Sequence, residues 1–191
     1  ILRTALHRPR HGSSAHMKRE IVMFGSQILR KPCPPVKEVD DDIRTLVDDL
    51  FDSMRAAEGV GLAAPQIGVI KRVCIIDVSH QQPEYPPVAL INPVLTDHRG
   101  EQVGEEGCLS FPDLYGDVKR HAWVEVEATD INGQSFKTAG EGFYARALQH
   151  EINHLDGKLF IDRISPLKRQ LMRGALKRLK KEGEAWDREN S

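Results

Sequence analysis

The segment that decides the fold reads FYARALQHEINHLDG from residue 143 to residue 157. Its apolar residues follow helical spacing, and Gly157 can adopt the left-handed conformation that ends a helix, so we predict a helix here. His150 and His154 are four residues apart and share one face of that helix, where both can bind one metal ion. Glu151 stands beside them, within reach of a water on the ion. A helix with two surface histidines is the alternative interpretation.

A third ligand is needed, because a catalytic zinc-type site has three protein ligands and one open position. One metalloprotease pattern places a third histidine six residues after the second, where this chain has Phe160. Another common arrangement takes the third ligand from a Glu on a later helix, but residues 163–181 contain no Asp or Glu. We therefore expect the ligand upstream, at Cys108 in the sequence EEGCLS. A thiolate binds Zn²⁺ or Fe²⁺ well, and the preceding Gly107 permits close backbone approach.

The composition narrows the class of protein. The chain has 191 residues, of which 40% are hydrophobic and 29% charged, and it contains no apolar run long enough to span a bilayer. Its net charge of -1 gives no reason to expect DNA or an anionic membrane as partner. Three cysteines are too few for a disulfide scaffold and favour a reducing compartment. Cys33 and Cys74 are predicted to be small buried hydrophobes.

The chain divides into three segments. Residues 1–16 lack acidic side chains and read as a remnant of an expression vector before a natural start at Met17, or as an organellar leader. Residues 17–164 are expected to form a single metal-dependent catalytic domain. Residues 165–191 are expected to form a basic amphipathic helix and tail.

An α+β fold is predicted, with mostly antiparallel strands packed around the central HExxH helix, plus a C-terminal helix. A first helix starts after Asp40, and Asn132-Gly133 marks a hairpin turn. The C-terminal helix begins at Ser165-Pro166, an N-cap followed by proline, and continues to about residue 183. Strands are predicted at 72–78, 88–95 and 123–128, and the central helix at 143–155.

With Cys108 joined to the HExxH helix, the chain resembles the peptide deformylase family. Three blocks carry the resemblance, over roughly residues 17–168: GVGLAAPQIG at 59–68, EGCLS at 106–110 and QHEINHLDG at 149–157. The resemblance implies removal of the formyl group from the N-terminal formylmethionine of newly made proteins. It also implies one divalent metal ion held by Cys108, His150 and His154. Fe²⁺ is the usual metal of the family, and Zn²⁺, Ni²⁺ or Co²⁺ can occupy the site.

The resemblance also implies roles for residues around the metal, and these roles suit hydrolysis of an amide bond. A metal-bound water, with its pKa lowered to about 7, would supply hydroxide, and Glu151 would act as general base and then general acid. The Gln66 amide and the Leu109 backbone N–H would stabilise the charge on the formyl oxygen. Val60, Gly61 and the backbone at Gly107 would hold the peptide in an extended conformation.

The sequence leaves the roles of two residues near the site undetermined. Many bacterial members of the family have an arginine seven residues after the metal-binding cysteine, where this chain has Tyr115, so the preference beyond methionine is undetermined. Arg146 lies one helical turn before His150 and could line the pocket or be solvated. We expect it to be solvated.

The C-terminal segment carries a cluster of basic residues on an apolar stripe. Eight Lys or Arg occur between residues 163 and 181. A solvated outer face is the common explanation, and attachment to ribosomal RNA is the alternative, since some family members dock at the ribosome through a C-terminal helix. The expected location is the bacterial cytoplasm, or an organelle if residues 1–16 are a native leader.

Two other functions compete with deformylation. A zinc endopeptidase would use the same helix, although its usual downstream third ligand is missing. A binding module with a structural metal would need four protein ligands, whereas three are found.

Overall fold

The structure is a computed structural model and describes residues 17–191, so the expectation about residues 1–16 concerns residues outside it. Within the described range, seven strands and four α-helices follow in this order: α1 (Asp41–Ala56), β1 (Gly61–Ala63), β2 (Val73–Ile76), β3 (Val88–Arg99), β4 (Gln102–Cys108), β5 (Phe111–Arg120), β6 (Trp123–Thr129), β7 (Ser135–Glu141), α2 (Gly142–Leu155), α3 (Pro166–Leu171) and α4 (Arg173–Glu189).

A five-stranded antiparallel sheet in the order β1-β2-β3-β6-β7 separates two helices. Successive side chains of a strand point to opposite faces, and β2 shows the consequence. Val73 and Ile75 pack in one core with α1, while Cys74 and Ile76 pack in a second core with α2. The apolar run of β2 is buried on both faces because each face is covered by a helix.

The predicted helices α1 and α2 are confirmed. The Asp40 side chain accepts a hydrogen bond from the Ile43 N–H and caps α1. After the C-terminal end of α2, Gly157 adopts a φ of 70°, the left-handed value expected after a helix. Most residues of α2 are buried, so the helix that carries the HExxH motif passes through the interior. The α+β prediction, with a central HExxH helix, is therefore confirmed.

The hairpin β4–β5 forms a separate two-stranded sheet that the sequence analysis did not predict. Its first strand, QVGEEGC, has one fully buried side chain, Glu106, and no apolar alternation. A strand that packs so little apolar surface leaves no period-two signal. The hairpin matters for function because Cys108 ends its first strand.

The C-terminal helix differs from the prediction. It is capped by Ser165 as expected, but it breaks at Met172 and then continues to Glu189, beyond residue 183. The predicted apolar stripe is only partly buried. Leu179 packs in a core with the N-terminal segment, whereas Leu167 and Leu171 are 68% and 76% exposed. Among residues 17–191, no helix is long and apolar enough to cross a bilayer.

Candidate metal centre

Three side chains from two separate elements converge on one point. Cys108 comes from the end of β4, and His150 and His154 come from one face of α2. Their candidate ligand atoms all lie within 4.8 Å of one another, and the Cys108 Sγ lies 3.3 Å from the His154 Nε2. The structure thus brings together all three residues that the sequence analysis selected as metal ligands, and no other such group occurs among the described residues.

A buried carboxylate orients one of the histidines. Glu106 Oε2 lies 3.0 Å from the His150 Nδ1, so a hydrogen on Nδ1 is donated to this carboxylate and Nε2 is left to face the other ligands. Glu106 was not predicted from the sequence as a site residue. It precedes Cys108 by two residues on the same strand, and an acid at that spacing from a metal ligand is the signal that could have found it.

Two arginines neutralise Glu106. Arg120 donates from Nε and Nη2 to the two carboxylate oxygens at 2.7 and 2.9 Å, and Arg146 donates from Nη1 at 2.9 Å. The expectation that Arg146 is solvated is wrong. Its side chain is 6% exposed, because α2 packs beneath the β4–β5 hairpin and turns this residue towards Glu106 and the Val118 carbonyl. Buried charges of this kind are tolerated only when they are paired.

The electrostatics of the centre favour a bound cation. Burial alone lowers the pKa of His150, but its hydrogen bonds to Cys108 and Glu106 raise that pKa to about 10. The negative groups around it therefore stabilise positive charge at this point. Burial lowers the pKa of His154 well below its usual value, so this imidazole is neutral, the form that binds metals.

Glu151 is buried beside the ligands, and its carboxylate is not fully satisfied by the described residues. Burial raises its pKa to about 7. The Oε2 atom has no hydrogen-bond partner, and the Oε1 atom faces the Gly61 backbone so closely that a methyl group on Gly61 would overlap it. A carboxyl group with a pKa near neutrality can both accept and donate a proton.

Gln66 is held rigidly at the edge of the centre. Its Oε1 accepts from the Ala63 N–H at 2.9 Å, and its Nε2 lies 3.2 Å from the Ser110 Oγ and 3.4 Å from the Cys108 Sγ. The side chain is 2% exposed. The first of these contacts fixes which end of the amide faces the ligands, so the Gln66 N–H groups point towards Cys108. Leu109, the other residue expected to stabilise the formyl oxygen, directly follows Cys108.

A cleft of about 680 Å³ opens from these residues to solvent. One wall is formed by residues 57–61, the other by the β4–β5 hairpin, and α2 lies at the bottom with His150 and Glu151. Val60, Gly61 and Gly107, the residues expected to hold substrate, all line it. The carbonyl of Val60 already accepts a hydrogen bond from the Asp77 N–H at 2.8 Å.

The residues present fit a divalent metal ion. One thiol and two imidazoles suit Fe²⁺ or Zn²⁺, and three protein ligands leave a position open for water. The unpartnered Glu151 Oε2 and the buried, unpartnered His154 Nδ1 show that the polar groups around the centre are not fully satisfied by the protein alone. A water on a bound ion would supply a hydrogen-bond partner for the Glu151 Oε2 atom.

Comparison with known proteins agrees with this site. The model of the polypeptide deformylase family matches residues 18–170. A peptide deformylase of Acidobacterium capsulatum is 46% identical over 88% of this chain and 99% of its own length. The crystal structure of a peptide deformylase from Legionella pneumophila is 44% identical, covers 86% of this chain and 96% of its own, and superposes with a TM-score of 0.80. That from Thermus thermophilus, at 38% identity, covers 86% and 99% with the same TM-score of 0.80. The chain belongs to the polypeptide deformylase family.

Proposed function

We propose that this protein hydrolyses the amide bond between the formyl group and the N-terminal methionine of newly made polypeptides, releasing formate. Deformylation of formylmethionine peptides, by a metal-dependent hydrolase, is the activity of the family to which the chain belongs. The observation that carries the proposal is the convergence of Cys108, His150 and His154 beside the buried carboxyl group of Glu151.

Cys108, His150 and His154 would hold the ion, and Glu151 would move the proton. A bound divalent ion supplies Lewis acidity and lowers the pKa of a water that it coordinates. Glu151 takes a proton from the attacking water through Oε2, the atom without a partner in the protein. Oxygen adds to the formyl carbon, the C–N bond breaks, and Glu151 delivers the proton to the departing amine.

Gln66 and Leu109 would stabilise the oxygen of the formyl group. Negative charge develops on that oxygen as water adds, and donors fixed in advance lower the barrier. The Gln66 amide is fixed by Ala63 and Ser110, so its N–H groups need little reorientation during the reaction. The Leu109 backbone N–H would supply the second donor, next to the ligand Cys108.

The peptide would bind in the cleft along an unpaired strand edge. Within residues 17–191, β1 is the terminal strand of its sheet and pairs only with β2, so its outer edge can accept an extended chain. Gly61 lies on this edge and Gly107 lies across the cleft. Val60, whose carbonyl is bonded to Asp77, would contribute its side chain and N–H.

Release of formate from formyl-Met-Ala-Ser, with bound metal quantified on the same anaerobically purified sample, tests this function. We expect release that a chelator abolishes, and a Glu151→Gln variant that keeps its metal but loses at least about a hundredfold in rate. Cleavage of an unformylated internal peptide bond would support a zinc endopeptidase instead. A filled metal site with no hydrolysis of either substrate would support a structural metal.

We further propose Fe²⁺ as the native metal, with Zn²⁺, Ni²⁺ or Co²⁺ able to replace it. The support for iron is that Fe²⁺ is the usual metal of the family, and one thiol and two imidazoles accept all four of these ions. Activity of the iron form should then decay in air as the iron or Cys108 is oxidised, and the zinc form should not. Equal half-lives with and without oxygen would contradict the assignment of iron.

We also propose that residues 17–164 form the catalytic domain and that residues 165–191 attach it to the ribosome in the bacterial cytoplasm. The curated relatives come from bacteria, and basic side chains lie exposed along α3 and the first half of α4. Exposed lysines and arginines bind phosphate without sequence preference. Leu179 and Gly183, by contrast, are buried against the N-terminal segment.

A charge substitution tests ribosome attachment better than truncation, because α4 packs on the core through Leu179. Lys177→Glu with Lys181→Glu should abolish co-sedimentation with ribosomes while formate release from short peptides is unchanged. The matched control is Glu182→Lys with Glu189→Lys on the same helix. Co-sedimentation that survives the first pair would exclude this face as the ribosome contact.

A further inference from the structure

The C-terminal helix α4 contacts the chain close to the metal centre, although none of its residues lines the cleft. The contact runs through residues 22–27, which lie between α4 and the centre. Gly183 packs directly on them, since a methyl group at Gly183 would overlap the Ser26 backbone nitrogen. The Asp187 carboxylate accepts hydrogen bonds from the Ser26 Oγ at 2.5 Å and from the Gln27 N–H at 2.9 Å. Residues 22–27 are therefore held on their outer side by α4.

On their inner side, the same residues bind the backbone of two residues beside Cys108. The Val22 N–H donates to the Gln66 carbonyl at 2.8 Å. The Phe24 N–H donates to the Ser110 carbonyl at 3.0 Å. Because the Gln66 Nε2 lies 3.2 Å from the Ser110 Oγ, these two backbone contacts help to fix the Gln66 amide.

Trp186 gives α4 a second, direct contact with the segment that carries Gln66. Its indole ring lies on Gly68, where a methyl group would lie 2.9 Å from Cζ2. Gly68 ends the 3₁₀ turn Ala64–Ile67, which contains Gln66. Two contacts of α4, one through residues 22–27 and one through Gly68, therefore converge on the backbone of Gln66.

We infer that Asp187 and Trp186 are positioning residues for deformylation, because they hold the Gln66 amide where it stabilises the oxygen of the formyl group. The inference rests on the proposed function. A donor that is fixed in advance lowers the barrier, whereas a donor that can shift must be reoriented as charge develops. Loss of its position should therefore lower kcat and leave KM nearly unchanged. On this inference α4 is a functional part of the active site, although it lies outside residues 17–164.

The test measures kcat for formyl-Met-Ala-Ser in the metal-loaded full chain and in Asp187→Ala, each with Gln66 present and with Gln66→Ala. Asp187→Ala should lower kcat about tenfold, since a displacement of 1 Å in an active site can cost about a hundredfold. In the Gln66→Ala protein the same change should cost less than about twofold, because the residue through which it acts is already absent. Trp186→Ala should follow the same pattern. Poorer folding alone would lower the rate by the same factor with and without Gln66.

Two further variants separate position from general stability. Asp187→Asn keeps an oxygen that can accept from the Gln27 N–H and should recover most of the rate. Glu184→Ala is the matched control on α4, because the exposed Glu184 carboxylate pairs with Lys180 of the same helix, and it should leave kcat unchanged. Metal content and circular dichroism of each variant establish that metal and fold are retained. If Asp187→Ala does not fold, the Trp186→Ala comparison decides.

A wild-type kcat in either alanine variant of α4, or an equal fractional loss with and without Gln66, would overturn the inference. Formate release by the wild type would still uphold the proposed function in that case. Absence of formate from the metal-loaded wild type would overturn both.

Discussion

Glu106 Oε2 lies 3.0 Å from the His150 Nδ1, and this hydrogen bond determines which ring nitrogen faces Cys108 and His154. Burial by itself raises the pKa of Glu106, but the hydrogen bonds from Arg120 and His150 outweigh it and keep that pKa far below its usual value. The carboxylate is thus charged at neutral pH. A permanently ionised acceptor keeps the proton on Nδ1, so the proton that a bound metal ion displaces from this ring is the one on Nε2.

Replacing Glu106 should therefore weaken metal binding. In Glu106→Gln we expect metal affinity to fall by about ten- to a hundredfold, since an amide can present its NH₂ group as well as its oxygen to Nδ1 and carries no charge to neutralise Arg120. The free energy of unfolding should fall by about 3–5 kcal/mol, because buried cations lose their partner. Competition with a metal-sensitive chelator and urea denaturation measure the two effects. Glu101→Gln is the control and should leave metal affinity and stability unchanged, since the Glu101–Lys119 pair is exposed. Wild-type metal affinity in Glu106→Gln would show that Glu106 does not orient His150 for metal binding.

Gly61 should be needed for the position of Glu151. A methyl group on Gly61 would overlap the Glu151 Oε1 atom, so Gly61→Ala must displace the carboxylate. A displacement of about 1 Å at a reacting group can lower the rate about a hundredfold. We expect a loss of that size in kcat with the fold and bound metal retained, measured by formate release and metal analysis. Gly174→Ala, which meets no atom within 4 Å, should keep full activity.

Cys108 should be the cysteine that reacts with alkylating reagents in the native, metal-free protein. Burial raises the pKa of Cys33 to about 11 and that of Cys74 well above its usual value, so neither forms thiolate near pH 8. Both are also inaccessible, whereas Cys108 is partly exposed in the cleft. Mass spectrometry after brief iodoacetamide treatment should find one adduct, at Cys108, and loading with Zn²⁺ should suppress it. Labelling of Cys74 before unfolding would contradict the buried core.

The pair between Arg30 and Asp162 should contribute a pH-dependent part of stability. Asp162 is partly buried, which raises its pKa, but the Arg30 guanidinium and the Leu159 N–H outweigh this and lower it. A group whose folded-state pKa is lowered stabilises the protein above its unfolded pKa, about 3.9 for aspartate. That contribution is lost as pH falls through the folded-state value.

Asp162→Asn should accordingly be less stable than the wild type at neutral pH, and the difference should close below about pH 4. Urea denaturation of both proteins at a series of pH values measures it. Asp52→Asn serves as control, because its carboxylate lies 3.9 Å from the Arg55 guanidinium and accepts no close hydrogen bond from it. A difference that stays constant down to acid pH would show that ionisation of Asp162 is not the cause.

Features specified within a few residues of the chain were predictable. The helix start after Asp40, the left-handed Gly157 and the turn at Asn132-Gly133 all occur as expected, because each depends on local backbone and side-chain chemistry. The burial of Cys74 followed from its apolar run, and that of Cys33 from the general tendency of a lone cysteine to be buried. The break at Met172 was not predictable from helical spacing, since the pattern continues through it.

The candidate site likewise contains residues that were predictable from the sequence and residues that were not. Placement of His150, Glu151 and His154 on one face follows from helical periodicity, and selection of Cys108 followed from the chemistry of a missing third ligand. Glu106 and Arg120 were missed because their importance depends on the hairpin that lies over α2. The expectation for Arg146 was wrong for the same reason, since an arginine on an isolated helix is normally solvated.

The sequence by itself determined the elements and the reactive groups: the HExxH helix and the glycine that ends it, the strands β2, β3 and β6, and a thiol for the metal. Only the tertiary structure decided how the β4–β5 hairpin packs against α2, and with it which charges are buried. Spacing along the chain is a local property, so it can be read from neighbouring residues. The burial of a charge is not a local property, because it depends on which distant segment excludes water from the charged group and supplies its partner.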